Sequence, residues 1–170
     1  QATRPRTLNV LDWPAALGRG SREALLIALG AAAAFVVLAL ASYDPSDPGW
    51  SHSGHVDRVM NQGGRVGAWL ADVLLYLFGW LAYLLPVLIA LGGWLLYRAA
   101  ERSPAERDVF HVMMRVSGFA ITLAAGCGLA TLHFRNPELF PLDAGGVLGN
   151  LVGGGLMGAF GSLGATLLLL

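Results

Sequence analysis

The chain has 170 residues, 55% of them hydrophobic and only 13% charged, with a mean hydropathy of +0.59. A soluble globular domain carries about 25% charged residues, so this composition points to a membrane protein. Net charge is zero and all eleven basic residues are arginine; without a lysine, no phosphate-binding loop of the G-x-x-x-x-G-K-[ST] kind can form within the chain.

Residues 1–22 read as an irregular basic arm, with Arg4, Arg6, Arg19 and Arg22 against one acid, Asp12. "LNVLDWPAAL" suits a membrane surface, with Trp13 at headgroup level. The first transmembrane helix is expected over 23–42, where Ala24 to Ser42 carry no charge. That length is close to the roughly 20 residues a bilayer core requires. Arginines before an apolar run ending in "ALA" at 39–41 also resemble a signal peptide. The run is longer than the usual 7–15 residues of such a peptide, which favours a retained span.

"SYDPSDPGWSHSG" follows at 42–54. Proline disfavours helix for the residue before it, so Asp44-Pro45 and Asp47-Pro48 stop the span sharply. Trp50 prefers the headgroup layer. Asp44, Asp47, His52, His55 and Asp57 offer carboxylate and imidazole to a divalent metal. The H-x-x-H spacing in a loop is unspecific and no H-E-x-x-H helix exists, so the expectation is solvated loop residues and no metal. Residues 43–72 as a whole read as a loop leading into an interfacial amphipathic helix. Asn61, Gly63 and Gly64 open it, and Val66, Trp69, Leu70, Val73, Leu74 and Leu77 recur at helical spacing, with Arg65 and Asp72 on another face.

The second transmembrane helix is expected over 73–97, a charge-free stretch that Pro86 should kink. Trp80 and Tyr83 fall well inside it and read as packing residues; Trp94 and Tyr97 fit an interfacial belt. Residues 98–115 form a charged hairpin. The third transmembrane helix covers 116–134. Gly118, Thr122, Gly126 and Ala130 make a stripe of small residues along it that admits a close neighbour. Cys127, the single cysteine, reads as a small buried hydrophobe. Residues 135–160 begin with the turn-rich "RNPELFPLD" and become glycine-rich, with nine glycines between 145 and 164. Either one span runs from about Val147 to Leu170, or 145–160 lies on or dips into the membrane and a fourth transmembrane helix starts near Gly161. Glycine is a poor helix former, and this favours the second reading.

The expected fold is an all-α membrane protein. It is a helical bundle of three complete transmembrane helices plus the start of a fourth over 161–170, with interfacial amphipathic helices on the periplasmic side. Arginines in short loops set orientation. Arg4, Arg6, Arg19, Arg22, Arg98, Arg102, Arg107 and Arg115 oppose Arg58, Arg65 and Arg135, which places the N-terminus and the 98–115 hairpin in the cytoplasm. The chain opens at Gln1 without methionine and stops within "TLLLL", and is expected to be a piece of a longer polypeptide.

"SYDPSDPGWS", "NQGGRVGAWLADVLLYLFGWLAYLLPV", "GGW" at 92–94, "CGLA" at 127–130 and "GGVLGNLV" at 145–152 occur in this order. Together, from about Ala24 to Leu170, they resemble the N-terminal four-span membrane domain of FtsK-type DNA translocases of bacterial cell division. The resemblance implies an inner-membrane, multi-pass anchor at the division septum, with both ends cytoplasmic. It further implies a role in assembling the division machinery. The chain would touch the lipid bilayer and other septal membrane proteins, and would self-associate, as a hexamer, through the parent's motor. ATP, Mg and double-stranded DNA would be engaged only by that motor, outside this chain; no cofactor, metal or catalytic residue is expected within it. Asp47, Trp50, Asn61, Trp69 and Asp72 are the expected partner contacts. Gly118, Thr122, Gly126 and Ala130 are the expected helix-packing positions.

Two other classes are weighed. A transporter or channel subunit would carry intramembrane ionisable residues, and the apolar runs Ala24–Ser42, Val73–Tyr97 and Val116–Phe134 lack Asp, Glu, Arg and Lys and contain only His133, near an end. An intramembrane protease would need an activated serine; Ser162 in "GSLG" lacks the G-x-S-x-G surround of a nucleophile elbow.

Overall fold

The computed structural model describes residues 19–51, 58–101, 109–134 and 140–170. The described residues are helical, with turns and no strand. Helix α1 is Arg19–Ala41 and α2 is Gly64–Phe78; a 3-10 segment, Gly79–Leu84, leads into α3, Leu85–Glu101. Then come α4, Val109–His133, α5, Gly146–Gly149, a π-helical segment, Asn150–Gly154, and α6, Gly155–Leu169. Four stretches are long and apolar enough to cross a membrane: Gly20–Ala41, Gly64–Leu95, Met113–His133 and Gly146–Leu169.

Alanine, leucine and valine carry α1 to Ala41, with no proline inside it. Ser42 closes its last turn by donating from both N (3.1 Å) and Oγ (2.6 Å) to the Leu38 carbonyl. The chain then turns at Asp44, whose carboxylate accepts from Ser46 N (2.8 Å) and Ser46 Oγ (2.6 Å), a local turn of the kind aspartate favours. Helix α3 runs antiparallel to α1. Tyr83 Oη donates to Leu40 O at 3.0 Å near one end of the pair, and Gly93 faces Leu29 and Leu26 further along.

The apolar stretch Gly64–Leu95 has 32 residues. As one helix it would measure about 48 Å, far more than a bilayer core of about 30 Å. Gly79, at φ 55° and ψ −133°, breaks it. Val73 lies in mid-helix, and the backbone changes direction at 79. Charge ends at Asp72, but charge says nothing of where a backbone bends. Pro86 stands just past the 3-10 segment Gly79–Leu84. Pro86 is buried in the first turn of α3, where a missing N–H leaves no hydrogen bond unmade.

Gly146–Leu169 is broken in the same manner, at Gly161 (φ 70°, ψ 176°). A side chain at Gly128 would lie 3.3 Å from Gly153 N and 3.0 Å from Leu169 Cδ1. Straight helix from 153 to 169 would span about 24 Å, so the two ends can meet at Gly128 only because the chain folds back at Gly161. The fourth apolar stretch is a helical hairpin with unequal arms.

The molecule is thus two packed units, α1 with α3 and α4 with the α5–α6 hairpin. Helix α2 and the 3-10 segment touch both units and join them at one end. The core there is Val36, Ala39 and Leu40 of α1 against Ala71, Leu75 and Ala82.

Candidate functional site

The end of the molecule that carries Tyr43 and α2 concentrates its polar structure. Asp72, on α2, is fully buried. Its carboxylate accepts from Trp50 N (2.7 Å), Ser51 N (2.6 Å), Ser51 Oγ (2.9 Å) and Tyr43 Oη (3.3 Å). Burial first, then the charge and hydrogen bond of Asp72, push the Tyr43 phenol well above its ordinary range. Gly49 lies so close to the Asp72 carboxylate that a Cβ there would strike it. The loop is thereby wrapped around one acidic side chain.

A second clasp stands beside it. Asp47, 2% exposed, accepts from Met60 N (2.7 Å) and Asn61 N (2.8 Å). Asn61, 4% exposed, donates through Nδ2 to Ala39 O (2.8 Å) and Ser42 O (3.1 Å), while its Oδ1 accepts from Gly63 N (2.8 Å). The carbonyls at the end of α1 lack helical donors, and Asn61 satisfies two of them. Gly67 presents no side chain where Asn61 Oδ1 sits, and that is how α2 approaches so closely. The Asp44 carboxyl, held by the side chain and then the backbone N–H of Ser46, titrates below its ordinary value.

Three of the five expected partner contacts turn inward. Asp47, Asn61 and Asp72 are buried and bind the chain's own backbone, since a short loop over an apolar helix end needs its N–H groups satisfied from within. Trp50 and Trp69 are exposed, at 56% and 48%. Trp50 leans edge-on against Tyr76, with ring centroids 5.2 Å apart. Of the candidate metal ligands, Asp44 and Asp47 are occupied as described, and His52, His55 and Asp57 lie outside the described residues. Among the described residues no group of three metal-ligating side chains converges.

The small-residue stripe of α4 divides in two. Gly126 meets Leu81, and Ala130 is buried. Gly118 faces nothing within 4 Å, and Thr122 is exposed, donating to its own Gly118 carbonyl at 2.8 Å. The close approach uses a neighbouring face instead, because the hairpin crosses α4 only over its last turns. Gly145 and Gly149 sit against Cys127 and Thr131, and Gly153 against Gly128. Trp80 and Tyr83, expected deep in a span, stand at the joined end. Trp80 N donates to Ala144 O at 2.9 Å and its ring meets Phe140 edge-on at 4.8 Å.

One junction was not anticipated. Gly79 (φ 55°) lies on Ala144, and Gly146 (φ 63°) lies on Leu77 and Tyr76. Each is a left-handed glycine seated against the other's chain segment. The repeated "GG" and "FGW" signal glycine, but not that these two meet.

Residues 18–170 match the family described as the 4TM region of DNA translocase FtsK/SpoIIIE. The chain belongs to this family. It is 43% identical over 138 residues to the DNA translocase FtsK of Shewanella oneidensis, covering 81% of this chain and 15% of that protein. It is 36% identical over 149 residues to the DNA translocase FtsK of Pseudomonas putida (88% and 18%), and 41% identical over 163 residues to DNA translocase FtsK 2 of Ralstonia nicotianae (92% and 21%). The chain thus spans at most about a fifth of the length of these relatives. No solved structure matches it. As an FtsK/SpoIIIE 4TM region it is a multi-pass membrane protein. Both clasps and the glycine junction fall inside the matched residues, so they belong to the FtsK/SpoIIIE region and not to the arm before it.

Proposed function

We propose that this chain is the membrane anchor and division-assembly domain of a DNA translocase that couples cell division to chromosome segregation. The observation that carries the reading is the family match over 18–170, together with four stretches apolar enough to span a membrane. ATP-driven pumping of double-stranded DNA would belong to other parts of such a protein; a chain with no lysine contains no phosphate-binding loop of the P-loop kind. In this reading the clasped end faces the periplasm at the septum of the inner membrane. The clasps hold Trp50 and Trp69 on a rigid platform, and these two exposed rings meet periplasmic parts of other division proteins. Hexamer formation would follow from the motor.

A fluorescent fusion of residues 18–170, expressed in dividing cells that retain their own copy, tests this. The expected result is a band at midcell, dispersed by the double change Trp50→Ala and Trp69→Ala at an unchanged membrane level. Uniform membrane fluorescence from the parent fusion at equal level would overturn the assembly role and leave only anchoring.

A further inference from the structure

Helix α3 carries an outward stripe that ends in a charge. Val87, Leu91, Trp94, Leu95 and Arg98 are all exposed and recur at i, i+4, i+7, i+8 and i+11. At 3.6 residues per turn they share one stripe about 100° wide. Gly93, packed on Leu29 and Leu26 of α1, lies on the opposite side of the helix, so the stripe looks away from the α1–α3 pair. From Val87 to Arg98 it measures about 16 Å, half of a bilayer core of about 30 Å. That is the depth a single acyl chain reaches. An arginine at the rim of a span ordinarily stretches its head into water. The Arg98 guanidinium lies instead over the Trp94 ring, 4.2 Å from the centroid, back along the helix in the direction its side chains lean. Trp94 stands where the apolar stretch Gly64–Leu95 closes. The cation is thereby drawn down to the edge of the hydrocarbon. The ring covers one face of the guanidinium and leaves its N–H edge in plane.

We propose that Arg98 and Trp94 form a headgroup site for an anionic phospholipid, with one acyl chain lying along Leu95, Leu91 and Val87. A charge at this depth is costly without a counter-ion, and a lipid phosphate is the anion that lies at the same depth. The guanidinium edge donates two parallel N–H bonds to two phosphate oxygens, a geometry that arginine offers and lysine does not. The Trp94 ring holds that edge in place, so the fork is set before the lipid arrives. A zwitterionic lipid brings its own ammonium beside the same phosphate, so the site selects lipid of net negative charge. Counting along the antiparallel pair from Tyr83 with Leu40 and Gly93 with Leu29 puts Arg22 and Glu23 of α1 level with Arg98. These two have contacts of their own and their charges cancel, which leaves Arg98 to carry the selectivity.

The test is native mass spectrometry of the whole chain released from detergent, with phosphatidylglycerol or phosphatidylethanolamine added at equal concentration. The parent chain should retain phosphatidylglycerol about fivefold more than phosphatidylethanolamine, the worth of one arginine at a lipid surface. Arg98→Gln should bring the two lipids level. Trp94→Leu keeps the charge and the apolar stripe but removes the ring that positions the fork, and should lose most of the preference. Arg115→Gln, at an exposed position of α4, should keep it whole. All three positions are exposed, so the variants should fold, and circular dichroism matching the parent checks that they do. Equal retention of the two lipids by the parent, a preference that survives Arg98→Gln or Trp94→Leu, or an equal loss in Arg115→Gln, overturns the site.

Discussion

Asp72 shows how a single side chain organises a loop. Trp50 N, Ser51 N, Ser51 Oγ and Tyr43 Oη all donate to its carboxylate. Asp72→Asn would turn an amide N–H₂ toward N–H and O–H groups, so it should destabilise the folded chain by about 1–3 kcal/mol despite its near-identical shape. Asn61 makes the opposite case. Its amide N–H₂ faces two carbonyls, so Asn61→Asp should cost more than Asn61→Ala, because a carboxylate would oppose those oxygens. Thermal unfolding in detergent, followed by tryptophan fluorescence, checks both. Equal midpoints for Asp72→Asn and the parent would mean the loop is held by packing alone. The sequence singled out Asp47, Asn61 and Asp72, but for a surface role. Polar residues beside an apolar span look solvent-facing in one dimension, and only the folded loop shows that their partners are its own backbone.

At the scale of elements, glycine conformation decides where helices end. Gly79 and Gly146 each adopt positive φ and each face backbone atoms of the other's segment. A left-handed conformation alone costs a side-chain-bearing residue roughly 1–2 kcal/mol, and here a Cβ would also collide with backbone. Gly79→Ala and Gly146→Ala should each destabilise by more than that, and should separate the 3-10 segment from α5. Gly92→Ala is the contrast: it lies in α3 with nothing within 4 Å, and should gain up to about 1 kcal/mol from helix propensity. Unfolding midpoints that fall for the first two and hold or rise for the third confirm the assignment; a uniform response removes it. The helices themselves were legible from apolar runs and from proline. The break at Gly161 had a signal in the glycine-rich run around it, although that run is itself helical from Gly146. The break at 79 did not, because no charge or proline marks it.

For the whole molecule, the joined end is the surface that sets the topology question. Helix α2, the 3-10 segment and α5 tie the two helix pairs together beside Tyr43. The arginine count leads to the expectation that this end lies outside the cytoplasm. Single-cysteine chains in a Cys127→Ala background test this: Ser46→Cys should react with a membrane-impermeant maleimide added to intact spheroplasts, and Ser103→Cys only after lysis. The reverse pattern would invert the topology and with it the proposed periplasmic role of Trp50 and Trp69.

Composition, the apolar runs and the motif order were enough to establish an all-helical membrane chain and its family, because the cost of placing charge in hydrocarbon is written directly into residue choice. Which polar residues turn inward, which glycines interlock, and that the fourth apolar stretch folds back on Gly128 were decided only by the tertiary structure. Those outcomes depend on contacts between segments far apart in the chain, and a local run of residue types carries no record of what it will meet.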